Sequence, residues 1–334
     1  MLILFNFNIE ALLPLITRGS FQMTTQTLAE AQKLINNEIV SGVVEDVITT
    51  NPIWQAMPWT GYTGQAILVN REDVLGDAQH LAVGGTITAK GASTFEQMPF
   101  TAVTTIGDAE LNGLVSAQSS SAGVDQMAIE IASKAKSVGR LLQTGMASGT
   151  GSSPQLHSYH TLCDSSQYTT ASAGQALSFE LLDELLDLVK AKDGEVDYLI
   201  ANGAQLRKYR ALVRALGGVN ETMAFDMGNG RTRNIDVYNG IPMFQNDYIT
   251  SNETANGASL TTGALTSIYA GCFDDGSNKI GQSMIHPEGS SMGFDVTMVG
   301  ESESKDERIA RVKSYSNFVN FNRRGLARLT SLSA

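Results

Sequence analysis

Residues 237–247 read Val237-Tyr238-Asn239-Gly240-Ile241-Pro242-Met243-Phe244-Gln245-Asn246-Asp247. Two apolar runs, Ile235 to Tyr238 and Ile241 to Phe244, the second containing Pro242, are separated by Asn239-Gly240 and read as two strands. Upstream, Asp197-Tyr198-Leu199-Ile200-Ala201 is a short buried strand. Asn202 then caps a helix carrying Leu206, Tyr209, Leu212, Val213 and Leu216, closed by Gly217-Gly218. Leu177 to Lys192 is amphipathic through Leu181, Leu182, Leu185, Leu186 and Val189, with Ser178 placed to cap it and Gly194 to end it. Residues 226–234 are polar and read as a flexible, exposed loop. Ser267 to Ala270 and Gly293 to Val296 add strands, so this region predicts a mixed sheet with helices on its faces.

Moving outward, Val124, Met127, Ala128, Ile131, Ala135, Val138, Leu141 and Leu142 sustain a 3-4 repeat and predict one long helix. Ser148 to Pro154 follows as a loop. Ala66 to Val69 and Thr86 to Ala89 read as strands of a long hairpin, with Phe100 to Val103 next; few large apolar residues stand near Gly84-Gly85 and Gly91. From Thr27 onward the apolar spacing is helical and ends before Asn51-Pro52, a stretch in need of a partner surface. Residues 1–16 are apolar but too short to span a bilayer, and no basic residues precede them. Residues 1–22 read either as an extension upstream of the usual start or as a packing arm. At the other end, Ile309, Val312, Tyr315, Phe318, Val319 and Phe321 form a closing strand.

The chain has 334 residues, enough for about two domains. Its 23 Lys and Arg against 34 Asp and Glu give a net charge of -11, which excludes tight, chain-wide binding to nucleic acid or anionic membrane. Residues 305–334 depart from that balance. Lys305, Arg308, Arg311, Lys313, Arg323, Arg324 and Arg328 face only Asp306 and Glu307, seven minus two or +5, leaving -16 for the first 304 residues. Such a segment could contact nucleic acid or pair with acidic neighbouring subunits, and its strand pattern favours subunit pairing.

Candidate chemistry is sparse. Cys163 and Cys272 form no CxxC pair and suggest a reducing compartment. His157, His160 and Cys163 have ligand-like spacing without a second cluster, so an ordinary loop is the expectation. Gly145 to Gly151 follows a helix where a phosphate loop would begin one, and neither GxSxG nor HExxH occurs. No catalytic, cofactor or metal site is assigned.

The order of helical arm, extended hairpin, long helix, inserted α/β region and returning strand resembles the major capsid proteins of tailed bacteriophages. Residues 237–247 and 197–202 carry the local likeness. The resemblance implies an α+β, Hong Kong 97-like fold: an N-terminal extension and arm (1–58), an extended loop (59–106), a peripheral domain (107–155 with 295–334) and an axial domain (156–294). It implies a shell protein in the virion, assembled in the host cytoplasm as pentamers and hexamers around double-stranded DNA held by weak, non-specific contact. Scaffolding and portal proteins, and decoration proteins in some shells, are the partners implied. Glycines at the hairpin tip and at the ends of the long helix would serve as bends between ring environments. Intersubunit contact candidates are Lys90, Asp226, Asn229, Arg231, Arg233, Arg311, Arg323 and Arg324. Some members crosslink a loop Lys to a neighbour's Asn with the help of an acid. Lys90 and Asn317, Asn320 and Asn322 are available, but no acid follows Glu307, so crosslinking is not expected. An encapsulin-like compartment is the alternative with the same fold, and a soluble α/β enzyme the alternative from another class.

Overall fold

The computed structural model describes residues 53, 56–121, 125–190, 195–226, 232–276, 281–290 and 293–334. The expected arm helix over 27–51, the 1–22 segment, Gly194, Asn229 and Arg231 lie outside the described residues.

Among the described elements, strand β1 (Trp59–Tyr62) and a hairpin of β2 (Ile67–Val74) and β3 (Thr94–Phe100) precede β4 (Val103–Asn112), α1 (Gly113–Ser121) and the long helix α2 (Gln126–Ser148). The short α3 (Tyr159–Leu162), β5 (Tyr168–Gln175), α4 (Phe179–Lys190), β6 (Tyr198–Ala201) and α5 (Gly203–Ala215) follow. The chain closes with β7 (Thr222–Asp226), β8 (Thr232–Tyr238), β9 (Ile241–Gln245), β10 (Leu265–Gly271), β11 (Gln282–Pro287), β12 (Asp295–Glu301), β13 (Glu307–Asn320) and β14 (Leu326–Ser333).

The stretch 237–247 folds as its residues dictate. Val237 pairs with Pro242 and Tyr238 with Ile241, so Asn239 and Gly240 form a two-residue turn. Both have positive φ, 50° and 80°, the conformation of the tight hairpin turns that Asn-Gly favours. This hairpin places β9 beside β6 in a seven-stranded mixed sheet of order β5-β14-β10-β6-β9-β8-β7.

That sheet is covered on both faces, and residue alternation assigns the faces. Leu199, Ala201, Ile268, Ala270 and Leu329 pack with Leu182, Leu185 and Val189 of α4 and Leu206 of α5. Tyr198, Ile200, Tyr269 and Leu326 point the other way, onto Leu142 and Met146 of α2, Tyr159 and Phe318. The second core joins this sheet to the other one, in which β1, β11, β13 and β12 are neighbours and β4 also pairs with β13. In β13, Ala310, Val312, Ser314 and Ser316 are buried while Ile309, Arg311, Lys313 and Tyr315 are half-buried, the pattern of a sheet with one covered face.

Several expectations are corrected. Thr86 to Ala89 is not a strand: the Gln79 side chain accepts from the amides of Thr88 (2.8 Å) and Ala89 (2.7 Å) and donates to the Thr86 carbonyl (3.1 Å). A side chain has replaced the ladder at the tip. Nor is the tip poor in large apolar groups, since Leu81, Val83 and Ile87 are all exposed there. The expected 226–234 loop is narrower, because Asp226 ends β7 and residues 232–234 already belong to β8. Two glycines expected to bend the long helix are instead close-approach positions. A Cβ at Gly145 would stand 2.8 Å from Leu156 Cδ1, and one at Gly149 would stand 2.2 Å from the Leu156 carbonyl oxygen. The seven-stranded sheet also includes β14, and β11 pairs with β1 and β13, so strand pairing crosses the expected division between 107–155 with 295–334 and 156–294. Long-range strand pairing, which no local pattern encodes, decides both placements.

Candidate assembly surfaces

Most cations of the basic C-terminal segment meet an acid of the same chain. Arg311 makes a two-pronged contact with Asp108, both bonds 2.8 Å, and the two residues are directly opposite in the β4–β13 ladder. Lys313 faces Asp295 (3.3 Å) and Arg308 faces Glu301 (3.9 Å), each opposite its partner in the β12–β13 ladder. Lys305 meets Glu307 at 3.8 Å, Arg323 meets Asp164 at 2.6 Å and Arg328 meets Glu253 at 2.9 Å. Six of the seven cations thus have an acidic partner on the same chain, which corrects the picture of a free basic patch. Cross-strand opposite charges are the ordinary unit of sheet pairing. Apart from Glu307, two residues from Lys305, the acids were hidden from the sequence because each lies outside residues 305–334 and meets its partner only in the folded chain. The Arg311 contact also holds the Asp108 carboxyl below the usual carboxylate range.

Arg328 is the extreme case. Its side chain is 0% exposed and that of Glu253 1%. Nε donates to Ser267 Oγ (3.0 Å), which in turn donates to Glu253 Oε2. The guanidinium lies over the rings of Tyr168 and Tyr269, 5.4 and 5.5 Å from their centroids. A further guanidinium nitrogen approaches His160 Nδ1 at 2.6 Å. Arginine only donates, so Nδ1 is the acceptor and the imidazole is neutral. Burial first and the Arg328 charge second pull His160 down from 6.5 to about 4. Close approach requires Gly257 here, at φ 66°, because a Cβ would lie 2.2 Å from the guanidinium.

The His157, His160 and Cys163 trio is therefore not convergent. His157 packs edge-on to Phe100, and the Cys163 thiol is buried beside the Leu326 carbonyl at 3.5 Å. Among the described residues no group of three His, Cys, Asp or Glu side chains is arranged to hold a metal, and no helix is long and apolar enough to cross a membrane.

The remaining candidates fall on projecting parts. Lys90 is exposed in the hairpin beyond β2 and β3. Asp226 and Arg233 are exposed on the β7–β8 hairpin, one residue out of register with each other. Arg324 is exposed after β13, where its backbone amide donates to Asn322 Oδ1. Asn317 is buried, donating to the Thr101 carbonyl (2.7 Å) and accepting from the amides of His157 and Phe318. It has no exposed amide to offer a neighbouring lysine.

Sequence reading missed the apolar surface. Leu68, Val74, Leu75, Leu81, Val83, Ile87 and Phe95 are exposed along one hairpin, with Val83 wholly so. Leu216, Val219 and Met223 are exposed between α5 and β7, and Val296, Met298 and Val299 on the edge strand β12. Apolar exposure on this scale marks surfaces that other chains cover. The available signal was apolar residues set among glycines and polar residues, without helical or strand period.

No protein-family model and no curated protein sequence matches the chain. Solved structures do. The capsid of cyanophage A-1(L) is similar with a TM-score of 0.66 and 8% identity, over 92% of this chain and 100% of that one. The SrpI encapsulin of Synechococcus elongatus PCC 7942 is similar with a TM-score of 0.64 and 16% identity, over 92% and 96%. The capsid of Myoviridae phage XM1 follows with 0.58 and 12%, over 90% and 98%. The fold is that of the Hong Kong 97-like capsid proteins, in agreement with the expectation from element order.

Proposed function

We propose that this chain is the major capsid protein of a tailed double-stranded DNA bacteriophage, building an icosahedral shell from pentamers and hexamers of itself. The observation that carries the reading is the pairing of a capsid fold over nine-tenths of the chain with a hairpin on which Leu68, Val74, Leu75, Leu81, Val83, Ile87 and Phe95 are exposed. An isolated two-stranded hairpin is marginal in water, so a hairpin this exposed gains its stability from neighbouring copies. Lys90, Asp226, Arg233 and Arg324 are the contact residues this reading retains. Arg311 and Arg323 act first within their own subunit.

The shell is structural, held by non-covalent contacts, and no enzymatic step is assigned to it. With six C-terminal cations already paired, packaged DNA would meet little free positive charge there, consistent with loose enclosure. A separate scaffolding protein would guide closure, and a portal protein would occupy one vertex.

The encapsulin likeness favours one second reading, a cellular compartment of the same architecture. Analysis of nuclease-treated particles separates the two. Protected double-stranded DNA of uniform length is the expected result, whereas a co-purifying cargo protein without DNA would favour the compartment.

A further inference from the structure

The long hairpin meets the body at two levels. At its base, Ile67 and Phe100 enter a small apolar core with Tyr62, Ile285, Val319 and Phe321. Just beyond that core the contact becomes ionic. Arg323, in the turn between β13 and β14, places Nε 2.6 Å from Asp164 of the body. The same guanidinium reaches the hairpin with Nη1, 3.5 Å from Asp73 on β2 and 3.7 Å from Glu96 on β3.

Asp73 sits at a register shift, between the pairs Glu72 with Phe95 and Val74 with Thr94. A bulge of this kind re-aims a side chain out of the strand's regular alternation. Arg71, opposite Glu96 in the ladder, is half-buried; it donates to the Phe321 carbonyl at 2.9 Å and to the Asn320 carbonyl, and lies over the Phe100 ring. Between hairpin and body these groups line an open cleft of about 550 Å³, whose walls also include Leu68, Ser166 and Arg324.

We propose that Arg323 is the hub of an electrostatic latch that fixes the angle of the hairpin against the body, with the apolar base as pivot and Arg71 as its pin. Three acids from three separate segments converge on one guanidinium, and the cleft beside it leaves room for the hairpin to turn once they separate. The partners are partly exposed, so each contact alone is weak and salt-sensitive, while together they select one pose. The latch stands on geometry within one chain; only its consequence, control over how the hairpin meets a neighbouring copy, rests on the shell reading.

The test is a distance measurement on the full-length chain with spin labels at Val83→Cys, at the exposed tip, and Glu184→Cys, on the exposed side of α4. The native Cys163 and Cys272 are buried. The expected result is a single narrow distance distribution that gains a second population in Arg323→Gln, and in native protein at about 1 M NaCl, where the Debye length is ~3 Å. Asp164→Asn is expected to shift it the same way, and Arg323→Lys to retain part of the native population. Arg308→Gln, which removes a surface pair far from the hairpin, is expected to leave it unchanged. A distribution unmoved by salt and by either latch variant would overturn the proposal, as would equal broadening in Arg308→Gln. Because the label pair reports on one subunit, a chain that never forms shells leaves this result readable.

Discussion

Arg328 shows what a buried charge demands of its surroundings. Its guanidinium is enclosed by Glu253, Ser267, His160 and two tyrosine rings, and the arrangement works only while His160 is neutral. Removing Glu253 would leave the guanidinium buried without its counter-charge, which typically costs ~3–5 kcal/mol. The pH dependence follows from the His160 shift. Its folded value lies below 6.5, at about 4, so the unfolded chain binds more protons throughout that window. Stability is full above 6.5 and falls as pH drops toward 4. His160→Gln keeps an acceptor near Arg328 and removes the proton uptake. Urea denaturation of the unassembled subunit should therefore lose less stability between pH 6.5 and 4 in this variant than in native protein; parallel pH profiles would refute the assignment. None of this was visible in the sequence, where Arg328 counted as one of seven cations and His160 as a possible ligand. The pairs form across separations as large as 250 residues, as for Arg323 with Asp73, and only the folded chain reveals them.

Single elements were far more legible, and the reason is locality. Asn239-Gly240 encodes its turn through two positive φ angles, and Asn202 encodes a helix start by accepting from the Gln205 amide at 2.9 Å. The same Asn202 donates to Thr266 Oγ1 at 3.0 Å, tying α5 to β10. Asn202→Ala is expected to cost ~1–2 kcal/mol, the upper part of the range for a lost cap. Asn202→Asp restores the acceptor without the amide donor and should recover part of that loss. Denaturant midpoints of the two variants check both statements, and equal midpoints would show that the cap contributes nothing. Where elements were misread, a non-local or side-chain partner had intervened. Gln79 captured the backbone that Thr86 to Ala89 would have offered to a strand, and Leu156 claimed the space that made Gly145 and Gly149 look like hinges.

At the scale of the molecule, two sheets share a core built from α2, Tyr159, Tyr198, Tyr269 and Phe318, while the hairpin beyond its base exposes Leu75, Leu81, Val83 and Ile87. Element order in the sequence was enough to suggest this plan. It did not reveal that β14 returns to the seven-stranded sheet or that the C-terminal charges are already paired, and both matter for how copies meet. On the proposed shell reading, neighbouring copies cover the exposed apolar residues of the hairpin while most C-terminal cations stay paired within their own subunit. Electron microscopy of the purified full-length chain, across protein concentration, salt and added scaffolding protein, tests this most directly. The account predicts rings of about five and six copies and closed polyhedral shells. A dispersed monomer or small oligomer under every condition would contradict it.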